Sequence, residues 1–261
     1  MVRIALFSDI HGNSIALDAV LRDIQAQGGA DVYWVLGDLV AIGPDPIGVL
    51  ERLSGLPEAS FVQGNTDRYI LRSEQPGPTL EQARSDPSLL PIFTRIAQSF
   101  AWTQGAIVAS GWLPWLEALL PERRIVLPDG SRLLGVHVLP GHDDGWGAHP
   151  ALSEAELKSL LGGCEAEVVC VGHTHWPLDL RVGGTRLVNL GSVSNPFPPD
   201  LRASYVILEA DGSGYRVHHR RVDYDREVVI AQARRTRHPA AHYIIQFMRG
   251  QNRPLWSKDG H

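Results

Sequence analysis

Apolar residues in this chain follow two rhythms, and where they change marks the elements. Residues 2–7 form a nearly continuous apolar run of strand length. Residues 14–27 then repeat apolar positions at three- and four-residue spacing, as a helix buried on one face does. The same pair recurs: strand 32–36, helix 46–53, strand 60–63. Alternation of this kind predicts a parallel sheet with crossover helices. The break Gln75-Pro76-Gly77-Pro78 ends it, and residues 80–120 read as mostly helical, with Trp102, Trp112 and Trp115 among them. Strands resume at 123–127 and 132–138 around the turn pair Asp129-Gly130. A Gly/His-rich loop over 140–150 and a helix near 153–161 follow. Strands are then expected at 167–171, 178–182, 186–190, 203–208 and 215–222, and helices at 226–235 and 239–249 close the chain. The early strands are crossover-like and the later ones hairpin-like, which predicts two facing sheets, each mixed or partly antiparallel, with helices outside.

Composition narrows the class. At 261 residues, 44% hydrophobic and 20% charged, the chain suits one globular domain with a full core, with or without a small appendage. The first apolar run is too short to span a membrane and lacks the features of a secretory leader, so a cytoplasmic protein without membrane contact is expected. Cys164 and Cys170 flank or sit in an apolar strand and read as buried free thiols. The net charge of −5 gives no general attraction to nucleic acid. From residue 216 onward, however, ten Lys/Arg face four acids. Interspersed apolar residues favour a solvated helical face there over a nucleic-acid surface, and an oligomer contact through these helices is a further use for them.

The chemistry lies at the strand ends. The first strand runs into Ser8-Asp9-Ile10-His11-Gly12-Asn13, the second into Gly37-Asp38, and the third into Gly64-Asn65-Thr66-Asp67. His137 ends a later strand, and another runs into Gly172-His173-Thr174-His175. Residues two apart at a strand end point the same way, so Asp9 with His11 and His173 with His175 form convergent pairs. Any one element is commonplace: D-x-H as a loop, G-N-x-D as a turn, Asp38 as a helix cap, His137 as a core histidine. As an ordered set they are hard to assign to turns and caps alone. Mixed Asp, Asn and His donors suit first-row ions such as Mn, Fe, Ni or Zn rather than calcium or a thiolate-bound zinc.

This ordered set resembles the calcineurin-like metallophosphoesterase superfamily, in particular its small bacterial and archaeal phosphodiesterase-type members. The resemblance covers residues 2–222 apart from the helical insertion. It implies an α/β four-layer sandwich of two mixed β-sheets flanked by helices. The metallophosphoesterase domain would span 1–222, with the helical insertion at about 79–121 and a C-terminal helical extension over 223–261. It further implies two divalent transition-metal ions, one held by Asp9, His11 and His175, the other by Asn65, His137 and His173, with Asp38 bridging.

Two such ions, the carboxylates of Asp9 and Asp38 and a bridging hydroxide leave the site about one unit positive, which attracts a small phosphorylated substrate such as a nucleotide. The hydroxide attacks phosphorus in line, so a serine or cysteine nucleophile is not required. Many relatives carry G-N-H-D or G-N-H-E, whose histidine is the general acid; this chain has Thr66, which cannot act as an acid near neutral pH. His142 in the 140–150 loop is the substitute candidate, the other answer being a substrate whose leaving group departs readily. Asn13, Thr66, Asp67 and Arg68 are candidates for phosphate contact or support, Asp67 equally for capping a helix that starts near Arg68. The arginine of G-D-x-V-D-R-G is missing from Gly37-Asp38-Leu39-Val40-Ala41-Ile42-Gly43, which lowers phosphoprotein as substrate. The insertion is expected to shape a pocket over the metals. The alternatives are a phosphomonoesterase, nucleotide hydrolase or nuclease of the same chemistry, and a non-catalytic scaffold that keeps the fold.

Overall fold

The structure is a computed structural model that describes residues 1–254 and 256–257; Lys258 and Asp259 of the basic tail lie outside the described residues. Strands β1 (Val2–Phe7), β2 (Val32–Leu36) and β3 (Ala59–Val62) run parallel, linked by α1 (Ser14–Ala26) and α2 (Pro46–Ser54). On the other side of β1, β9 (Ala203–Asp211) and then β10 (Gly214–Val222) pair antiparallel, giving the order β10-β9-β1-β2-β3. The second sheet contains β4 (Arg123–Val126), β5 (Arg132–Gly135), β6 (Val168–Val171), β7 (Leu178–Val182) and β8 (Thr185–Asn189) in the order β4-β5-β6-β8-β7. Its centre is parallel and its two edges antiparallel, so both sheets are mixed.

Side-chain alternation sorts the layers. In β1, Ile4 and Leu6 point at the second sheet and pack with Val168, Cys170 and Val188. Ala5 and Phe7 point the other way, onto Leu17 and Val20 of α1. The same outer layer takes Tyr69 and Ile70 from α3 (Asn65–Arg72), Val229 and Ile230 from α8 (Arg226–Arg235), and Ile244 and Phe247 from α9 (Ala241–Met248). Across the molecule, α7 (Glu154–Leu160) lays Leu157 on Leu134, Val169 and Leu187. The result is the four-layer α/β sandwich expected from the sequence. No helix among the described residues is long and apolar enough to cross a membrane.

Residues 80–117 supply α4 (Leu80–Ser85), α5 (Leu90–Ala109) and α6 (Leu113–Glu117). They cover the outer edge of the first sheet: Trp115 packs on Phe61 of β3 at 4.9 Å, and Leu120 exchanges backbone hydrogen bonds with Phe61 and Gln63. A bare edge strand would otherwise expose its N–H and C=O groups. Two of the boundaries that differ from expectation bear on the site. The strand expected over 132–138 ends at Gly135, leaving His137 in the loop beyond. The helix expected near Arg68 begins at Asn65, because the Asp67 carboxylate at its third position accepts from Gly64 N at 3.0 Å and closes the first turn.

Candidate metal centre

Five of the histidine and aspartate residues at the strand ends have left-handed backbone. Their φ values are 56° at Asp9, 47° at His11, 55° at Asp38, 69° at His173 and 58° at His175. Non-glycine residues rarely adopt this region, and clusters of them mark functional sites. Interstrand loops hold them there: Asp9 N donates to Gly37 O at 3.0 Å and His11 N to Asp38 O at 2.9 Å. The two sheets are tied at the same point, since Asp9 Oδ2 accepts from Ser8 Oγ at 2.6 Å and from His173 N at 3.0 Å. Gly172 permits that approach, because a Cβ there would press on Ser8 and lie 2.5 Å from Asp9 Oδ2.

The side chains converge in two groups, Asp9 with His11 and His175, and Asp38 with His137 and His173, each with its ligand-type atoms within 4.8 Å of one another. His11 Nδ1 lies 3.1 Å from Ala41 O and His175 Nδ1 2.9 Å from Asn195 O, so each Nδ1 carries a proton and donates it. The two Nε2 atoms then turn toward each other at 3.1 Å, with Asp9 Oδ1 3.2 Å from that of His175. In the second group His137 Nδ1 faces Leu36 O at 2.7 Å and His173 Nε2 faces Gly145 O at 2.7 Å. Their other nitrogens point at one acceptor, Asn65 Oδ1, at 3.0 and 3.1 Å. Among the described residues Asp9 Oδ1 is buried without a hydrogen-bond donor. Lone pairs facing lone pairs around a buried, undonated carboxylate oxygen fit a cation in each group, and N/O donors fit a first-row ion. Asp38, of the second group, also faces the first, with Oδ1 3.4 Å from His137 Nε2 and Oδ2 3.7 Å from His11 Nε2.

The electrostatics agree. Burial opposes charge on Asp9 and Asp38, yet the facing histidines overcome it: His175 holds Asp9, and His137 holds Asp38, below the usual carboxylate range. Burial would lower His137, but the Asp38 charge lifts it to about 10; Asp9 likewise raises His175. Burial keeps His11 neutral, down at about 4. The pocket therefore draws positive charge, and protons on His137 and His175 compete with any metal for the same lone pairs.

The remaining predicted residues take varied positions. Asn13 caps α1, accepting from Ala16 N at 3.0 Å, and donates to Ser194 Oγ at 3.2 Å. Asp67 accepts from Leu39 N at 2.9 Å as well as Gly64 N, tying the Asp38 loop to the Asn65 turn; burial, then Asp38, pushes its carboxyl up to about 7. Thr66 N donates to Asp38 Oδ1 at 2.9 Å, while its hydroxyl is buried without a partner. The Arg68 guanidinium is engaged by Glu74, Asp143 and Asp144. His142 lines an adjoining hollow beside Leu139, His149 and Leu152, which shares Gly145 and Trp146 with the cavity over His173 and His175.

The site's supporting residues were less visible in the sequence. Asn189 Nδ2 donates to Gly172 O at 2.9 Å and Thr174 Oγ1 at 2.8 Å, steadying the histidine loop; its signal is a polar Asn-Leu-Gly-Ser run after a strand. A cavity of about 430 Å³ opens on His173 and His175, walled by Trp146, Phe197, Tyr243, Phe247 and Trp256. The insertion, expected to form that wall, contributes none of its lining; the end of the chain does.

Comparison with known proteins agrees with this picture. An uncharacterized protein of Methanocaldococcus jannaschii is 28% identical over 240 residues, covering 85% of this chain and 88% of that one. The symmetrical bis(5'-nucleosyl)-tetraphosphatase of Pectobacterium carotovorum is 39% identical over 67 residues, a quarter of this chain and 24% of that protein. A hypothetical protein of Pyrococcus horikoshii shares the fold at a TM-score of 0.78 and 20% identity, over 95% of this chain and 98% of that one. A metallophosphoesterase of Sphaerobacter thermophilus superposes at 0.73 with 26% identity, over 96% and 99%. The family model for the calcineurin-like phosphoesterase superfamily domain matches residues 2–213, and the chain belongs to that superfamily.

Proposed function

We propose that this chain is a dinuclear-metal-dependent hydrolase of phosphate esters, of the phosphodiesterase kind. The observation that carries this is Asp38, whose two carboxylate oxygens turn toward different histidine groups. Asp9, His11 and His175 would hold one ion, Asn65, His137 and His173 the other, with Asp38 shared. Ions bound there supply Lewis acidity toward the phosphoryl oxygens and bring a water's pKa down toward neutrality. The protein fixes the geometry: the carbonyls of Ala41, Asn195, Leu36 and Gly145 set which nitrogen each histidine presents. Asp67 and the Thr66 backbone N–H orient Asp38 and Asn65 from behind.

Thr66 supplies no acid for the departing oxygen, which favours diesters with acidic leaving groups. In this proposal residues 1–222 are the hydrolase domain, and the extension from 223 adds the cavity wall. Two unpaired cysteines fit a cytoplasmic setting. A nucleotide hydrolase is the second reading, favoured by the segment similar to a dinucleoside tetraphosphatase.

The test is metal-stripped protein reloaded with Mn or Zn and assayed on bis(p-nitrophenyl) phosphate and p-nitrophenyl phosphate. About two ions per chain and faster turnover of the diester are expected. A folded protein that takes up no ions and turns over neither ester would end the proposal.

A further inference from the structure

The cavity beside His173 and His175 has a composition that the metal chemistry does not require. Its walls are aromatic. Phe197 lies 6.0 Å from the His175 ring, and Trp256 stands nearly edge-on to Phe197 at 6.2 Å, with its own face stacked on His149 at 4.7 Å. Trp146, at the same cavity, is 68% exposed, an unusual state for so large an apolar side chain in a loop.

Two polar groups of the chain end complete the lining. Asn252 Nδ2 is buried with no hydrogen-bond partner among the described residues. Native interiors seldom leave an amide donor in that state, and a ligand in the cavity would supply the acceptor that the described residues do not. Arg253 is unlike the arginines paired elsewhere, such as Arg52 with Asp18, Arg68 with Asp143 and Arg186 with Asp179. Among the described residues no carboxylate faces it; one guanidinium nitrogen donates to Gly250 O at 2.9 Å and Asn252 O at 3.1 Å. Its positive charge is left facing a cavity that ends on a cation site.

We propose that Trp146, Phe197, Asn252, Arg253 and Trp256 form a recognition subsite for the organic half of the substrate, and that it takes a flat nitrogen heterocycle of the nucleoside kind. The proposal rests on the phosphoesterase reading of the metal centre and adds to it the identity of the esterified group. The aromatic walls stack the ring, Asn252 donates to a ring carbonyl or ring nitrogen, and Arg253 meets a non-bridging phosphate oxygen. An aliphatic or lipid-like ester would fill the walls but leave the Asn252 donor unpaired, which buried sites discriminate against strongly. The volume of about 430 Å³ lies within the range of pockets that enclose a small ligand.

The experiment compares two diesters with one leaving group, the p-nitrophenyl ester of thymidine 5'-monophosphate and methyl p-nitrophenyl phosphate, on metal-loaded protein. The nucleoside ester should be preferred in kcat/KM by at least about tenfold, as stacking of one base predicts. Trp256→Ala, Asn252→Ala and Arg253→Ala should each shrink that preference, mainly through KM, with unfolding transitions like the parent's. Binding of thymidine 5'-monophosphate, read by tryptophan fluorescence on Zn-loaded protein, should weaken about tenfold in Trp256→Ala. A preference near one in the parent, or one that none of the three variants moves, overturns the subsite while turnover of the methyl ester keeps the hydrolase reading. If neither ester turns over, the hydrolase reading fails by itself, and nucleotide binding that these variants weaken still upholds the subsite, whereas no nucleotide binding removes it.

Discussion

The metal cradle and the cavity wall beside it are built on opposite principles. Asp9, His11, Asp38 and His137 are almost wholly buried, and the backbones of the first three are fixed in a conformation that loops seldom hold unaided. The wall uses Trp146, 68% exposed, and Tyr243, 39% exposed, on a loop and a late helix where only glycines take left-handed backbone. Positions that must meet an ion at bond length are secured by main-chain hydrogen bonds between strands. Positions that need only present a surface are left to side chains. On the proposed reading, chemistry is a property of the sandwich core, and substrate choice a property of its loops and of the chain end.

The largest test of that division is Asp38→Ala against Asp9→Ala. Asp38 faces both histidine groups, so its loss should cost at least about 10³-fold in rate and strip most of the metal, more than Asp9→Ala does. Elemental analysis beside the rate measurement checks this; an Asp38→Ala protein that keeps two ions would move the shared ligand elsewhere.

The attachment can be loosened separately, with acid. His238, between α8 and α9, packs edge-on against Trp102 of α5 at 4.5 Å, and its Nδ1 accepts from Ala240 N at 3.1 Å. Burial holds its pKa down at about 4, against 6.5 ordinarily. The fold therefore binds the neutral ring. That contribution is complete above pH 6.5 and is lost as pH falls toward 4, amounting to about 3 kcal/mol at most. Urea midpoints between pH 7.5 and 4.5 should fall less in His238→Phe than in the parent; parallel declines would exclude this histidine as the cause.

Smaller effects belong to proton delivery. Thr66→His should speed hydrolysis of esters with poor leaving groups by about tenfold and of good ones hardly at all. His142→Ala should change either rate by less than about twofold, since His142 lines another hollow. If the alanine variant instead makes the rate depend more steeply on leaving-group pKa, His142 is the acid after all.

The cradle was legible because its signals are local. D-x-H puts two donors of one group side by side in the chain, whereas H-x-H, expected to be a convergent pair, sends His175 to that group and His173 to the other; the neighbouring glycines mark where chains meet. The sheets were legible too, since the continuous apolar run of Ile4, Ala5, Leu6 and Phe7 marks a strand buried on both faces. The wall was not, because Tyr243, Asn252 and Arg253 carry no spacing that distinguishes them from any amphipathic helix and its tail. The insertion misled for a related reason: a pocket over the metals is expected of it, but Trp112 and Trp115 serve the edge of β3. Distance in sequence hides which surface an apolar residue covers.

The left-handed backbone at the five ligand-type positions bears on how such a site can be lost. Each costs on the order of 1 kcal/mol that a glycine or asparagine would largely avoid, and the facing lone pairs add repulsion until a cation separates them. Once one ligand is gone, a bound ion no longer offsets the backbone strain at the others, and His11 and His175, unlike the sheet-tying Asp9, can be replaced to relax it. Decay of the centre therefore runs downhill in stability, and a descendant that has lost its chemistry would be a sturdier sandwich than its catalytic parent, ready to be kept for its surface alone.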